Sequence, residues 1–200
     1  NSYDGTAKSA EGFETLTFEV AGNTYTVEGL RTSDPSSINV CELTNAISGT
    51  AVVKDAAGND VTAQFTVDTE NGTLKIEPKA VTVSVADAAD VEYDGSAHES
   101  DKPVVFDGIV DGETASISYT AAKGTVVGTY TGSYGDDFAV AKADGSDSTG
   151  NYTLTTKTPG KLTITDRTEK YEITVVATSN TGNIYDGTAK SAEGFETLTF

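Results

Sequence analysis

The chain repeats itself, and this restricts its fold more than any other feature. A recurring unit must close on itself or on its neighbour, so 200 residues measure a number of units rather than the size of one domain. The segment Tyr3 to Phe18, YDGTAKSAEGFETLTF, returns unchanged at Tyr185 to Phe200, an offset of 182 residues. A divergent copy, YDGSAHES, opens at Tyr93, 90 residues after Tyr3 and 92 before Tyr185. The unit ends recur as well. Gly58, Asp60, Thr62, Phe65 and Val67 match Gly145, Asp147, Thr149, Tyr152 and Leu154 at an offset of 87, and after one inserted residue Gly72, Leu74 and Ile76 match Gly160, Leu162 and Ile164. The linkers EPKA (77–80) and TDRTEK (165–170) each lead into a fresh alternating run.

This frame predicts a first β domain over 1–78 that lacks its own first strand, a second over 79–166, and the start of a third over 167–200 that nearly copies the beginning of the first. An incomplete unit exposes unpaired backbone and apolar surface. The run Tyr171 to Thr178 is therefore expected either to fill the open edge of the first unit, in its own chain or a neighbour's, or to be a frayed tail.

Period-two alternation dominates the units. Leu16/Phe18/Val20, Tyr25/Val27, Phe65/Val67, Leu74/Ile76, Val81/Val83/Val85, Ile117/Tyr119, Tyr152/Leu154 and Leu162/Ile164 alternate with Thr, Ser, Glu or Lys, the pattern of half-buried strands. Thr supplies about one residue in six, which suits a pleated surface. Asn, Asp and Gly punctuate the runs at Gly22-Asn23, Gly58-Asn59-Asp60, Asn71-Gly72 and Asp144-Gly145. The fold class expected is mainly β: two tandem domains of antiparallel or mixed sheet, β-grasp-like or sandwich-like, plus the first strands of a third repeat. Ser36 to Ile47 carries Val40, Leu43 and Ile47 at helical spacing, so a short helix and a strand with a loop are alternatives there. Leu30 to Ala46 reads as a long insert of the first unit.

Composition narrows the chemistry. Asp and Glu number 31 against 13 Lys and Arg, a net charge of −18, which disfavours nucleic acid and anionic lipid as partners because both need cations to displace counterions. One Cys forms no internal disulfide or thiolate cage, and one His makes no two-histidine metal site. No apolar run spans a bilayer and no leader pattern is visible, so direct membrane insertion is not expected. The absence of Met suggests a piece of a longer protein.

Several groups could in principle carry chemistry. The three Tyr-Asp-Gly triplets combine an aromatic ring with a carboxylate, as glycan sites do, but Asp-Gly is also a turn and Tyr also caps a core. Asp136, Asp137, Asp144 and Asp147 offer oxygen ligands without EF-hand spacing, so a solvated acidic loop is the alternative to a Ca²⁺ site and no metal or cofactor is assigned. Cys41 and His98 lack an orienting third group, and no catalytic residue is assigned. Tyr130, Tyr134 and Phe138, with Asp136 and Asp137 interleaved, form the candidate ligand-binding residues, because exposed Tyr gives rigid amphipathic contact; an ordinary strand facing its core is the alternative.

KAVTVSV, YDGSAH, GSDSTGNYTL and PGKLTI together resemble the MBG-type tandem repeats of large Gram-positive surface proteins, mostly-β units related to the β-grasp modules of mucin-binding proteins. The resemblance implies a stalk on the bacterial cell surface, extracellular and anchored to the wall through a region outside this sequence. It further implies a host protein or glycan as partner, immunoglobulin or mucin, with neighbouring repeats as the other partners; a ligand-free spacer is the alternative. The first unit departs from the second at Gln64 and Phe65, against Asn151 and Tyr152. Lys79 or Lys161 with Asn151 are candidates for the Lys–Asn amide crosslink that some adhesins hold.

Overall fold

A computed structural model describes residues 1–199. Among them the regular structure is strand, apart from two single-turn 3₁₀ helices at Thr62–Gln64 and Thr149–Asn151, so the fold is mainly β. Among the described residues there is no α-helix for a sheet to wrap around.

The second unit displays the plan most fully. Its leading strand, Lys79–Val85, lies in the middle of a mixed sheet, antiparallel to Val104–Asp107 and parallel to Tyr152–Thr158. Alternation decides which side faces in: Val81, Val83 and Val85 are at most 3% exposed, whereas Ala80 and Ser84 point outward. Burying three valines contributes roughly 1.5–3 kcal/mol each, which makes this strand the main apolar contributor of its unit. A second mixed sheet orders Gly128–Thr131, Lys161–Thr165 and Val91–Glu92. Short antiparallel pairs, Thr114–Ser116 with Ala139–Ala141 and Tyr119–Thr120 with Ser133–Tyr134, complete the unit.

The first unit follows the same plan. Lys8–Ser9 pairs with Ser36–Ser37 as His98–Glu99 pairs with Lys123–Gly124, and Cys41–Asn45 pairs with Gly72–Ile76 as Gly128–Thr131 pairs with Lys161–Thr165. Residues 30–46 thus occupy the places that 117–133 hold in the second unit. They are not an insert; their sequence has diverged while their pairing has not. Ser36 to Ile47 forms strands and no helix, because the alternate positions Cys41 and Leu43 find partners in Ile76 and Leu74.

The expected strand at Phe65 and Val67 is not formed. In the second unit Tyr152–Thr158 is held by the leading strand beside it, and no strand stands in that relation to residues 65–71 among the described residues. Phe65 instead packs against Phe18 and Tyr25, at ring separations of 5.5 and 5.0 Å. Thr17–Val20 turns onto Asn23–Thr32, which continues against Ile47–Asp55.

In the third unit, Thr174–Ala177 pairs antiparallel with Phe195–Thr199 rather than with the first unit. Ile173, Val175 and Val176 on and beside it are 67%, 52% and 40% exposed.

The ladder between Asn23–Thr32 and Ile47–Asp55 shifts register between Glu28 and Leu30. Gly29 sits there at φ +81°, and a Cβ on it would run into the carbonyl oxygen of Thr50. Gly29→Ala is expected to lower the stability of the chain by at least roughly 1–2 kcal/mol, the cost of a left-handed alanine, as read by urea denaturation.

Candidate functional site

The first two units share one core. Tyr3, Leu74 and Ile76 of the first cluster with Val81, Val140 and Tyr152 of the second. Tyr3 reaches this cluster because Ser2 bridges to Glu77 in parallel and the Tyr3 amide donates to the Glu77 carbonyl at 2.9 Å. Its ring meets that of Tyr152 edge-on, with centroids 5.4 Å apart. Gly5, at φ +79°, lets the chain pass Val110, whose Cγ1 would stand 2.9 Å from an added Cβ.

A hydroxyl at the end of each tyrosine needs a partner this deep, and Glu113 supplies it. The Tyr3 hydroxyl donates to Oε1 at 2.5 Å, the Tyr152 hydroxyl to Oε2 at 2.6 Å, and Ser148 Oγ to Oε1 at 3.0 Å. Glu113 stands at the turn that leads into Thr114–Ser116, its amide bonded to the Val110 carbonyl, while the Val110 amide donates to the Tyr152 hydroxyl at 3.1 Å. Burial pushes the Glu113 carboxyl upward, but the hydroxyls of Tyr152, Tyr3 and Ser148 outweigh it and hold the group below its ordinary 4.5. Burial and then the facing carboxylate raise both phenols.

Asn151 forms a second link. Its Oδ1 accepts the Val40 amide at 2.8 Å, and its Nδ2 donates to Asn39 Oδ1 and Ser148 Oγ. Asn151 and Tyr152, where the second unit departs in sequence from Gln64 and Phe65, are thus among the residues by which it grips the first. The Asn151 amide is committed to these bonds, and neither Lys79 nor Lys161 is among its partners. The repeated tyrosine and the departure at 151–152 were signals for this junction; Glu113, one of 31 acids, carried none.

The Tyr-Asp-Gly triplets are turns. Asp4 accepts from the Thr6 amide and hydroxyl and from Lys8, and Asp186 repeats this with Thr188 and Lys190. Asp94 accepts from the Ser96 amide and lies 3.0 Å from His98 Nε2. Lys190, then Thr188, lower the Asp186 carboxyl to about 2. A Lys or His four positions on, at Lys8, His98 and Lys190, belongs to the motif and went unread in the sequence. The acidic loop is similar. Asp144 and Asp147 cap the Ser146 and Thr149 amides, and among the described residues no three metal-binding side chains gather.

The aromatic candidates fall in separate settings. Tyr130 packs on Gly124, and its hydroxyl donates to the Val126 carbonyl at 2.9 Å. Tyr134 lies 4.8 Å from the Tyr119 ring and donates to the Thr158 carbonyl. Phe138 packs against the shared core and Phe106. Asp137 accepts from the Ser118 amide and hydroxyl, and Asp136 is exposed, 3.3 Å from Lys157 Nζ. Cys41 is a half-buried thiol packed against the shared core, and His98 is paired with Asp94 in the other unit.

Two surface features remain. The bend 125–127, clamped by Tyr130, presents Val126 and Val127 at 60% and 47% exposure. A groove of about 520 Å³ on the first unit is lined by residues 13–16 and 67–71 and by Val27, Leu30 and Ile47. Comparison with known proteins gives no match: no family model, curated protein or solved structure is significantly similar to this chain.

Glu113→Gln is expected to destabilise the chain at neutral pH by roughly 1–3 kcal/mol, because the charged acceptor of three hydroxyls is lost. A group held below its ordinary value contributes stability that is full above 4.5 and fades as pH falls through its folded value. The gap between wild type and Glu113→Gln in urea denaturation should therefore be widest near neutrality and close below that pH.

Proposed function

We propose that this chain is a non-enzymatic repeat module of an extracellular, wall-anchored bacterial adhesin, whose successive units form a stiff stalk and carry a face for a host protein or glycan. Immunoglobulin and mucin are the ligand classes that the resemblance of the repeats suggests. The observation that carries host contact is the bend 125–127: two exposed valines held in a fixed shape by the Tyr130 hydroxyl offer preorganised apolar contact. Repetition then multiplies a weak contact by avidity. The net charge of −18 fits this role, since like-charged units repel and the array stays extended and soluble. Among the described residues no helix is long and apolar enough to cross a membrane.

A ligand-free spacer is the second reading. It is favoured by the engagement of Tyr134 and Phe138 in internal packing, which removes them from a free binding face. The chain immobilised on a surface separates the two when exposed to serum immunoglobulin and to purified mucin. The adhesin reading expects capture of one of them, weakened several-fold by the double substitution Val126→Asp and Val127→Asp with melting unchanged. No capture at high surface density leaves the spacer and overturns the adhesin.

A further inference from the structure

We propose that the second unit is a load-bearing clamp, whose first and last segments are joined by one long parallel ladder that tension along the chain loads in shear. This clamp deepens the stalk reading above and rests on it only in that tension must reach the unit along the chain; it needs no ligand.

The two mixed sheets of the unit are crossed by the same pair of segments. Lys79–Val85 runs parallel to Tyr152–Thr158 in one sheet, and Val91–Glu92 runs parallel to Lys161–Thr165 in the other. The pairing is carried across the step between the sheets. There the Ala88 amide donates to the Lys161 carbonyl at 2.8 Å, and the Lys161 amide to Asp87 Oδ1 at 2.8 Å. Partners stand 73 positions apart at Lys79 and Tyr152, 74 at Ser84 and Thr158, and 73 again at Val91 and Ile164. Segments 79–92 and 152–165 therefore lie side by side from end to end.

Further contacts tie the same two segments. A Cβ on Gly160 would stand 2.5 Å from the Ala86 carbonyl oxygen, so the backbones approach at the step as closely as glycine alone permits. Thr155 Oγ1 donates to the Val81 carbonyl at 3.1 Å and Thr165 Oγ1 to the Val91 carbonyl at 3.3 Å. Beyond the last rung the Tyr93 amide donates to the Thr165 carbonyl, and Arg167 Nη1 to the Tyr93 carbonyl. The same end recurs in the first unit, where Ser2 bridges to Glu77 in parallel.

Where the load enters decides how such a ladder fails. The linkers 77–80 and 165–170 connect the unit to its neighbours, so tension draws Lys79 at the start of one segment and Thr165 at the end of the other. Parallel strands drawn from opposite ends must slide past each other. Their hydrogen bonds lie across the load and share it, and sliding also pulls Val81, Val83 and Val85 from their buried places. Drawn apart at one end, the same strands peel bond by bond. Forced unfolding follows the unfolding barrier and not the equilibrium stability, so one folded molecule yields differently in the two directions.

Single-molecule force spectroscopy on the full-length chain tests the clamp, with Cys41→Ser leaving introduced thiols as the only handles. Pro78, Ser96 and Asp166 are exposed and suit attachment. Handles at Pro78→Cys and Asp166→Cys load the ladder in shear, whereas handles at Ser96→Cys and Asp166→Cys, both beyond its far end, peel it. Both proteins are expected to melt as cooperatively as the wild type, and the shear pair to rupture at a force several-fold above the peeling pair at one loading rate. Handles fused to the two ends of the unsubstituted chain give a second reading, in which residues 79–165 should come free near the shear force. Equal forces in the two geometries, or a peeling force above the shear force, overturn the proposal, and so does release of 79–165 at the peeling force in the end-to-end pull. None of these results bears on capture of immunoglobulin or mucin, so the host-contact reading stands or falls separately.

Discussion

Everything in this fold turns on a strand that needs partners on both of its edges. Lys79–Val85 is short of polar side chains on one face and buries Val81, Val83 and Val85 there. Its backbone is satisfied only because an early segment of the unit, Val104–Asp107, and a late one, Tyr152–Thr158, flank it. The unit is thereby closed by pairing between residues more than seventy positions apart in sequence. Where that partner is lacking, as beside Phe65 and Val67, an alternating sequence does not become a strand. Propensity and period are necessary for β structure, but a ladder takes two sides.

The sequence was informative wherever a fold depends on local pattern or on repetition. The strands at Asn23–Thr32, Gly72–Ile76, Lys79–Val85 and Lys161–Thr165 fall on alternating runs, and the Asp-Gly turns fall where the dipeptides stand. Three features were not legible. Residues 30–46 looked like an insert because their side chains diverge, although their ladders match those of 117–133. Phe65 and Val67 alternate like Tyr152 and Leu154, yet among the described residues no strand lies beside them as Lys79–Val85 lies beside Tyr152–Thr158. Glu113 joins residues separated from it by 110 and 39 positions, and nothing near it in sequence distinguishes it from the other acids.

The acids also divide by what they do. Asp4, Asp60, Asp94, Asp144, Asp147 and Asp186 each accept from an amide two positions on and so pin turns. Their pKa values are lowered first by side-chain donors, Lys8 and Lys190 at Asp4 and Asp186 and the hydroxyl two positions on at Asp60, Asp144 and Asp147, with the amide leading only at Asp94. A large negative charge is therefore in part a by-product of a loop-rich β architecture that uses Asp at its corners. The other acids divide between strands, as at Glu28 and Glu42, and further loops, as at Asp68 and Asp136. Tyr3 and Tyr152 supply the junction of the first two units with hydroxyl donors, so the carboxylate between them is held in its charged form chiefly by hydrogen bonds, with Lys142 a lesser contributor.

One motif in three settings shows how a repeat acquires different roles without changing sequence. Tyr3 and Tyr185 open identical segments, and their backbones turn alike, with Gly5 at φ +79° and Gly187 at φ +74°. Yet Tyr3 is 1% exposed and Tyr185 94%. The local turn is written into the triplet; the burial is not, because it needs a strand at one side and a Glu113-like acceptor at the other. Each unit therefore completes its neighbour as much as itself. Stability along a chain of such repeats resides in the seams between them as well as within each repeat.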